Sequence, residues 1–393
     1  MLSPTLAIVG VVISFVVSIL LFQYQVLPHT TFFFVPIFVL IAYHTLVMQL
    51  TPGRQNHKQP WSKVLKKSAG KYVFWAGVIG GLYGIYRHHP FYANFAVHTV
   101  SMVGFFLKCY LILAPFYFLY LERYKTGRFD WFNDSYLKIL SFFRTIYKRN
   151  WASLRYRLLK RGYKSLLLSW IVRLHFIPVM VEQVYWGTNQ VVNSLGRPEL
   201  ALTNVMFFVG LLFLIDAINA SMGYFWESAL TKTRFREIDP NAFHWIVVLM
   251  CYMPFIGFAS NFVPFPTGNG SLVIMHPVFE MVINVATIVS LLGIVLTTTC
   301  LGFSYSNLSY KKIQTRGPYA VVRHPGTVFK ILFFFLTIFR FESAWTPPII
   351  AAFVFWMGVY IVRILCEERF LMKFREYRDY AAVTRYRLIP RVW

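Results

Sequence analysis

The sequence predicts an all-α, polytopic membrane protein: a bundle of about ten transmembrane helices with both termini in the cytoplasm. Apolar stretches close to 20 residues long recur along the 393-residue chain, and each could cross about 30 Å of hydrocarbon as a helix. The stretches are continuous rather than alternating, which favours helices over strands. Only 14% of the residues are charged, whereas a soluble protein carries roughly a quarter.

Ten apolar stretches are long enough to be spans. They lie near residues 5–27, 31–50, 72–87, 95–121, 166–186, 201–226, 242–263, 278–303, 325–341 and 346–366. The first has no basic segment before it and no small-residue cleavage site, so we expect a retained span rather than a signal peptide.

Lysine and arginine are concentrated in every second loop. The basic segments are 51–71, 122–164, 227–241, 304–324 and the tail after Cys366, whereas the loops between them hold one clear basic residue, Arg197. The positive-inside rule therefore places the basic loops and both termini in the cytoplasm. The same distribution accounts for the net charge of +24 without nucleic-acid binding, and attraction to anionic membrane lipid is the favoured interpretation.

The longest polar segment divides the chain into three parts. Residues 1–121 form a four-span unit of unknown role, 122–165 a basic cytoplasmic connector, and 166–393 a six-span unit. Within the connector, residues 136–149 place apolar side chains at helical spacing with basic residues between them. This pattern fits an interfacial helix on the inner leaflet, and it fits a solvated charged connector equally well.

The scattered cysteines and histidines predict no metal site. The four cysteines lie far apart without a Cys-x-x-Cys pair, so we interpret them as small buried hydrophobic residues rather than disulfide partners or zinc ligands. His88, His89 and His98 have no carboxylate or thiol at ligand spacing.

Charged residues also occur within the predicted spans. Arg173 and Glu182 lie in the fifth span and Asp216 lies in the sixth. Since ionisable groups in a membrane are paired or face a cavity, we expect Arg173 to pair with one of these two acids, with a substrate role as the alternative.

The last two apolar stretches bring a group of polar residues together. Pro325 suits the first position of a helix, so His324 lies at its cytoplasmic mouth, where free backbone N–H groups favour an anionic ligand. Arg363 and Glu367 are four residues apart and share one face of the last apolar helix. A turn at Pro347-Pro348 makes the two helices a hairpin, so these groups meet at the cytoplasmic surface.

Two interpretations of this group are open from spacing alone. Charges at such a place indicate a functional site. Alternatively, Arg363 is an interfacial anchor, and Glu367 and Glu368 pair with neighbouring arginines.

The order of the motifs resembles a known family. The chain contains Gly317-Pro-Tyr-Ala-Val-Val-Arg-His-Pro325, then Arg363-Ile-Leu-Cys-Glu-Glu-Arg-Phe-Leu371, then Tyr377-Arg-Asp-Tyr380 and Ile389-Pro390. This series resembles the isoprenylcysteine carboxyl methyltransferases, which are related to the membrane phospholipid N-methyltransferases. The resemblance covers residues 302–393, so we place the methyltransferase-like core there.

The resemblance implies a site for S-adenosylmethionine. The residues at cofactor-binding positions are Lys311, Lys312, Ile313, Gln314, Tyr319, His324, Pro325 and Glu367. Arg363 falls at the substrate-contacting position, where it would orient the acceptor, and with His324 it is the candidate catalytic residue. Glu368 and Arg323 are further candidates. The chain departs from the family at Gly326-Thr327, where an aromatic residue is usual, and at Ser304, where a glutamine can occur.

The resemblance implies an S-adenosylmethionine-dependent methyltransferase that acts on a lipophilic or lipid-linked acceptor, such as a carboxylate, at the cytoplasmic membrane face. A carboxylate acceptor is already ionised, whereas an ammonium would need a base; only Glu368 and His324 are candidates, which favours an oxygen acceptor. The alternatives are an NADPH-dependent membrane reductase of the sterol-reductase type and a non-enzymatic lipid transporter or scaffold. The expected partners are membrane lipids and the lipid-linked substrate. A bacterial inner membrane and a eukaryotic endomembrane fit equally well, and the sequence does not indicate the oligomeric state.

Overall fold

The computed structural model describes residues 4–23, 39–40, 42–43, 60–124, 131–159, 161–195, 205–225, 234–265, 273 and 276–393. Helices dominate these residues. They are α1 (Pro4–Gln23), α2 (Trp61–His88), α3 (Pro90–Phe95), α4 (Val97–Tyr124), α5 (Trp131–Tyr147), α6 (Trp151–Leu159), α7 (Arg161–Leu195), α8 (Val205–Phe225), α9 (Ala242–Leu249), α10 (Phe255–Ala259), α11 (Pro277–Leu301), α12 (Pro325–Ile338), α13 (Pro347–Leu371) and α14 (Arg375–Val383). Two short strands, β1 (Glu237–Ile238) and β2 (Ser309–Tyr310), pair antiparallel with Glu237 opposite Tyr310.

Five of the described helices are long and apolar enough to cross a membrane, namely α4, α7, α8, α11 and α13. Their length and apolar composition fit the all-α membrane bundle that the sequence predicts. Helix α12 is apolar but has 14 residues, which rise about 21 Å, less than the roughly 30 Å of a hydrocarbon core.

The total of ten spans and the cytoplasmic position of both termini remain predictions. The second predicted span, 31–50, lies almost entirely outside the described residues. The third, 72–87, is part of the longer helix α2, which begins at Trp61 and carries four lysines in its first half.

The predicted seventh span, 242–263, is not one continuous helix, so the expectation of an uninterrupted helix is wrong here. Helix α9 ends at Leu249 and α10 begins at Phe255. Pro254 lies at the break; proline has no N–H to donate, and its ring clashes with the carbonyl four residues earlier. An unbroken apolar run therefore concealed a broken backbone.

The broken segment nevertheless runs beside α13 and antiparallel to it. The Tyr252 hydroxyl accepts a hydrogen bond from Arg363 at 3.2 Å. Further along, the carbonyls of Val263 and Pro264 both accept from Trp356 Nε1 at 3.2 Å. Non-helical backbone at membrane depth occurs where it is buried in protein or lines a cavity, so we expect polar partners from neighbouring helices at this break.

Helices α8, α11 and α12 form the core of the C-terminal bundle. Helices α8 and α11 run parallel, since Asp216 accepts from Thr298 at 2.7 Å and Asn219 donates to Thr299 at 2.8 Å. Helix α12 packs closely on α11, because a Cβ at Gly293 would collide with the Phe329 ring. The apolar side chains between these helices form one buried cluster.

The N-terminal helices are joined to this bundle through α7. Glu182 accepts from the backbone N–H groups of His98 and Thr99 at 3.0 and 3.3 Å and lies 2.6 Å from His98 Nδ1. It therefore caps the start of α4, whose first N–H groups have no partner within the helix. The expected partners of Arg173 thus bind other groups: Glu182 binds His98, and Asp216 binds Thr298.

Helix α5 lies in the basic connector and has an exposed apolar face. Leu140, Phe143 and Ile146 are each more than a third exposed, and their spacing of three residues puts them on one side of the helix. This exposure fits the interfacial interpretation; membrane contact by α5 remains a prediction.

Candidate functional site

The carboxylate of Glu368 is the centre of a buried ion cluster at one end of α13. Its Oε1 accepts from Arg323 Nε at 2.6 Å and lies 3.2 Å from His324 Nε2, and its Oε2 accepts from Arg387 Nε at 2.7 Å. Glu368 is only 4% exposed. One acid therefore joins the last turn of α13 to the segment before α12 and to the C-terminal segment. We call these four residues the Glu368 cluster.

The C-terminal segment pairs with the same loop through its backbone. The N–H groups of Arg323 and His324 donate to the carbonyls of Tyr386 and Arg387, each at 2.9 Å. The Arg323 guanidinium also donates to the Thr384 carbonyl at 3.3 Å. We call residues 384–387 the strap, since it holds the loop before α12 in place.

Pro325 begins α12 with His324 as the N-cap residue, which confirms the prediction for these two positions. The hairpin of α12 and α13 is also confirmed, with one correction. Pro347 and Pro348 are the first residues of α13 rather than the turn itself, which includes a 3-10 turn at Glu342–Trp345. Proline fits the first helical turn because those N–H groups have no helical partner.

Tyr319 lies in a single 3-10 turn, Gly317–Ala320, and its carbonyl accepts a hydrogen bond from the Thr384 hydroxyl of the strap at 3.4 Å. Its carbonyl accepts from the Tyr380 hydroxyl at 2.7 Å, and its own hydroxyl donates to the Thr297 carbonyl at 3.4 Å. Burial raises the pKa of Tyr319, and the nearby Glu367 carboxylate raises it further. Tyr319 is thus a neutral, fixed aromatic group beside an acid.

The four residues 311–314 have different surroundings. Lys311 donates to the Gly223 carbonyl at 2.5 Å and to the Phe303 carbonyl at 3.3 Å, and Gln314 donates to the Cys300 carbonyl at 2.6 Å. Both side chains therefore satisfy the carbonyls at the ends of α8 and α11. The two residues between them have other surroundings. Lys312 is exposed, and Ile313 packs against the apolar cluster that includes Tyr310, Phe370 and Tyr377.

Glu367 differs sharply from its neighbour Glu368. It is exposed, and its carboxylate has no hydrogen bond or ion pair within the described part of the chain. It lies one helical turn from Arg363 and close enough to Tyr319 to act on it electrostatically. Of the two adjacent acids, only Glu367 is open to a ligand.

A second polar cluster surrounds Arg363, one turn further into the bundle. Arg363 Nη2 donates to Asn307 Oδ1 at 2.6 Å and to the Tyr252 hydroxyl at 3.2 Å. Asn307 Nδ2 donates in turn to the hydroxyls of Tyr252 and Tyr224, at 3.1 and 2.8 Å. We call these four residues the Arg363 cluster. Both of these hydrogen bonds use Nη2, so they leave the N–H groups on Nη1 and Nε unused.

Three members of the Arg363 cluster were not predicted from the sequence. Tyr224, Tyr252 and Asn307 belong to α8, to the broken segment and to the loop before β2. Pro254 inside an apolar stretch was the one signal that could have pointed to this place, because proline breaks a helix and a broken span needs polar partners.

Arg363 and Glu367 place a cation and an acid on one face of α13, with Arg363 deeper in the bundle and Glu367 nearer the end of the helix. The acid can bind hydroxyl or ammonium groups, and the guanidinium can bind carboxylate or phosphate. The arrangement therefore suits a reaction between one polar ligand and one ligand that reaches the bundle interior.

A groove of about 430 Å³ lies elsewhere, between the first halves of α8 and α11. Its lining includes Val205, Glu280 and Asn284. The end of α11 near Thr297 contacts the loop before α12, so the groove lies at the opposite end of α11 from that loop. Within the described residues no group of three or more His, Cys, Asp or Glu side chains could hold a metal ion, and all four cysteines are free thiols.

The comparisons with known proteins bear on this same region. The chain matches no curated protein and no solved structure. Residues 273–377, which hold Asn307, His324, Arg363, Glu367 and Glu368, match the family model of the phospholipid methyltransferases. This match confirms the predicted resemblance, which lies in the C-terminal part of the chain, and it indicates a membrane methyltransferase that acts on lipids.

Proposed function

We propose that the protein transfers a methyl group from S-adenosylmethionine to a lipid-linked acceptor at the cytoplasmic membrane face. The observation that carries the proposal is the position of Glu367 and Arg363 on one face of α13. One is an exposed acid without a partner among the described residues, and the other is a cation inside the bundle. The family match over the same residues supports it.

The residues at the mouth of the hairpin fit the cofactor. S-adenosylmethionine supplies a methyl group activated by a positively charged sulfonium. Its ammonium and ribose hydroxyl groups suit the open carboxylate of Glu367, and Tyr319 offers a fixed aromatic face beside it. Gly326 allows the start of α12 to lie close to α11, since a Cβ at this position would be 3.1 Å from Thr297 Oγ1. His324, Pro325 and the segment 311–314 would shape the rest of the pocket.

The chain's own contribution to such a reaction is positioning. Methyl transfer from a sulfonium is an in-line displacement, so fixed orientation and exclusion of water lower the barrier. Arg363 is held by Asn307 and Tyr252, so it would orient the acceptor through its remaining N–H groups. His324 is held by Glu368 and would line the pocket between the two ligands.

Glu368 is a poor candidate for a general base. Its carboxylate already accepts from two guanidinium groups, and each such contact favours the charged, unprotonated form. We therefore assign Glu368 and Arg323 to holding the strap, and we retain an acceptor that needs no base as the favoured class.

Isothermal titration of the full chain in detergent tests the cofactor. We expect S-adenosylhomocysteine to bind and NADPH not to bind, and Glu367→Gln to weaken binding about tenfold or more, since hydrogen bonds to charged groups contribute about 1.5–3 kcal/mol. Glu342→Gln is the matched control, because Glu342 is an exposed acid in the turn between α12 and α13. Binding of NADPH alone would replace the methyltransferase with the reductase alternative. Absence of both would favour a transporter or scaffold.

A further inference from the structure

Asn284 is a polar residue within the apolar helix α11. It lies seven residues after Pro277, where the helix begins, so it is about 10 Å along the span. Its Oδ1 is buried, and the amide takes part in no hydrogen bond within the described part of the chain. A buried amide without a partner is costly, and polar residues inside a membrane span usually serve a function. This side chain therefore calls for a ligand.

The amide lines the groove between the first halves of α8 and α11. The groove has a volume of about 430 Å³, which is within the range of about 300–1,000 Å³ typical of small-molecule sites. Glu280 lies one helical turn before Asn284 on the same face of α11 and forms a polar rim. Apolar side chains form most of the remaining lining, including Val205 and Phe208 of α8 and Ile288 of α11.

The apolar part of the groove ends against the core of the bundle. Val205 and Ile288 both pack on the buried cluster that contains Val209, Leu212 and Leu291. Along α11 the lining thus passes from a carboxylate to an amide and then, one turn deeper, to an apolar side chain. This order matches an amphiphile with a small polar headgroup and a hydrocarbon chain.

The hydrogen-bonding capacity of the amide selects among such headgroups. An amide both donates and accepts, and so does a hydroxyl group, whereas a carboxylate only accepts and an ammonium only donates. Each charged headgroup therefore leaves one half of the Asn284 amide without a partner. The Glu280 carboxylate would also repel an anion, and its attraction for a cation is offset by Arg340, whose Nη2 lies 3.9 Å from Glu280 Oε1. A neutral hydroxyl headgroup fits best.

We propose that this groove binds a neutral lipid through a free hydroxyl group, with Asn284 as the hydrogen-bond partner and the apolar lining around the hydrocarbon chain. The site is separate from the mouth of the hairpin. Asn284 lies 13 residues before Thr297, which contacts Tyr319, and this separation corresponds to about 20 Å along α11. The lipid is thus a ligand other than the methyl acceptor, and the inference stands apart from the proposed function.

Two other partners of Asn284 make different predictions. Polar side chains such as asparagine pair between helices in membranes, so a second copy of the chain would give a dimer that Asn284→Leu disrupts. A water molecule would satisfy the amide with no preference for any lipid. Only a bound hydroxyl lipid links Asn284 to headgroup preference.

Native mass spectrometry of the full chain in an amine-oxide detergent, which has no hydroxyl group, measures both headgroup preference and oligomeric state. The probes are oleyl alcohol, oleic acid and oleylamine, so a hydroxyl, a carboxylate and an ammonium are compared on the same chain. We expect oleyl alcohol to bind about tenfold or more tightly than the other two, from the usual strength of the hydrogen bonds that it alone completes. Asn284→Leu should lose this preference, and Asn284→Asp should shift it toward oleylamine, because a carboxylate only accepts.

Asn261→Leu is the matched control, because Asn261 is an exposed asparagine outside the groove. The midpoint of thermal unfolding shows whether each variant is folded, and Asn284→Leu should match or exceed wild type, since it removes an unsatisfied amide. A clearly lower midpoint for this variant would indicate a structural partner and overturn the inference.

Equal binding of the three probes by wild type, or an unchanged preference in Asn284→Leu, would also overturn the inference. So would a loss of preference in Asn261→Leu, or a dimer that only Asn284→Leu disrupts. Binding of S-adenosylhomocysteine tests the proposed function separately, so its failure and the failure of the lipid site are distinguishable.

Discussion

Replacing Glu368 with glutamine should destabilise the protein strongly, whereas the same change at Glu367 should not. Glu368 is 4% exposed and Arg323 is 8% exposed, and their side chains meet at 2.6 Å. Glutamine would leave Arg323 buried without an opposite charge. Breaking a buried ion pair from one side costs about 3–5 kcal/mol. The contacts with His324 and Arg387 share the same carboxylate, so their losses do not simply add.

The protein carries its own reporters for this measurement. Cys300 and Cys366 are buried free thiols in α11 and α13. A thiol-reactive dye that fluoresces on coupling will therefore follow unfolding during heating. We expect a clearly lower midpoint for Glu368→Gln and a change within about 0.5 kcal/mol for Glu367→Gln, as is usual for a surface substitution. Equal destabilisation by the two variants would refute the separation of roles between these adjacent acids.

Two further predictions concern the contacts around the site. Gly223→Ala should destabilise the protein by about 1–3 kcal/mol or more, because the new Cβ would collide with the Tyr305 carbonyl. Gly358→Ala is the control and should not destabilise it, because its new Cβ would meet open space. The thiol-dye assay compares the two variants. Burial alone would raise the pKa of Glu376, but the hydrogen bonds that its carboxylate accepts, the one from Tyr310 first, hold this pKa below its ordinary value. The charged carboxylate therefore stabilises the folded protein fully above its ordinary pKa near 4.3. This contribution is lost as the pH falls through the lowered pKa. The free energy of unfolding, measured between pH 7 and pH 3, should be lower for Glu376→Gln than for wild type at neutral pH. The difference should be at most about 1 kcal/mol, since the Arg236–Glu376 pair is partly exposed. If both proteins lost the same stability between pH 7 and pH 3, this assignment would be wrong.

Hydropathy predicts the long helices well because a continuous apolar run of this length is what a membrane-spanning helix requires. Helices α4, α8, α11 and α13 are continuous apolar runs, and their observed bounds lie within a few residues of the predicted ones, apart from the last five residues of α13. It fails at 242–263, because an apolar run says nothing about backbone continuity. Pro254 was the local signal of the break, and it was outweighed by the composition around it.

The candidate site was predicted as far as local rules reach. The start of α12 at Pro325 follows from proline geometry alone. The different roles of Glu367 and Glu368 do not follow, because adjacent residues point about 100° apart on a helix and tertiary packing decides which one turns inward.

The strap has a consequence for the order of assembly. Residues 384–387 contact an arginine that lies 61 residues earlier in the chain. Closing so long a loop costs more conformational entropy while the chain between the two ends is disordered, so we expect the strap to form after the α12–α13 hairpin. The amides of Arg323 and His324 donate to the strap and should exchange with deuterium whenever it detaches, even while α11 and α13 stay protected. Opening of the strap would thus be a separate, lower-energy motion that exposes the mouth of the hairpin without unfolding the bundle.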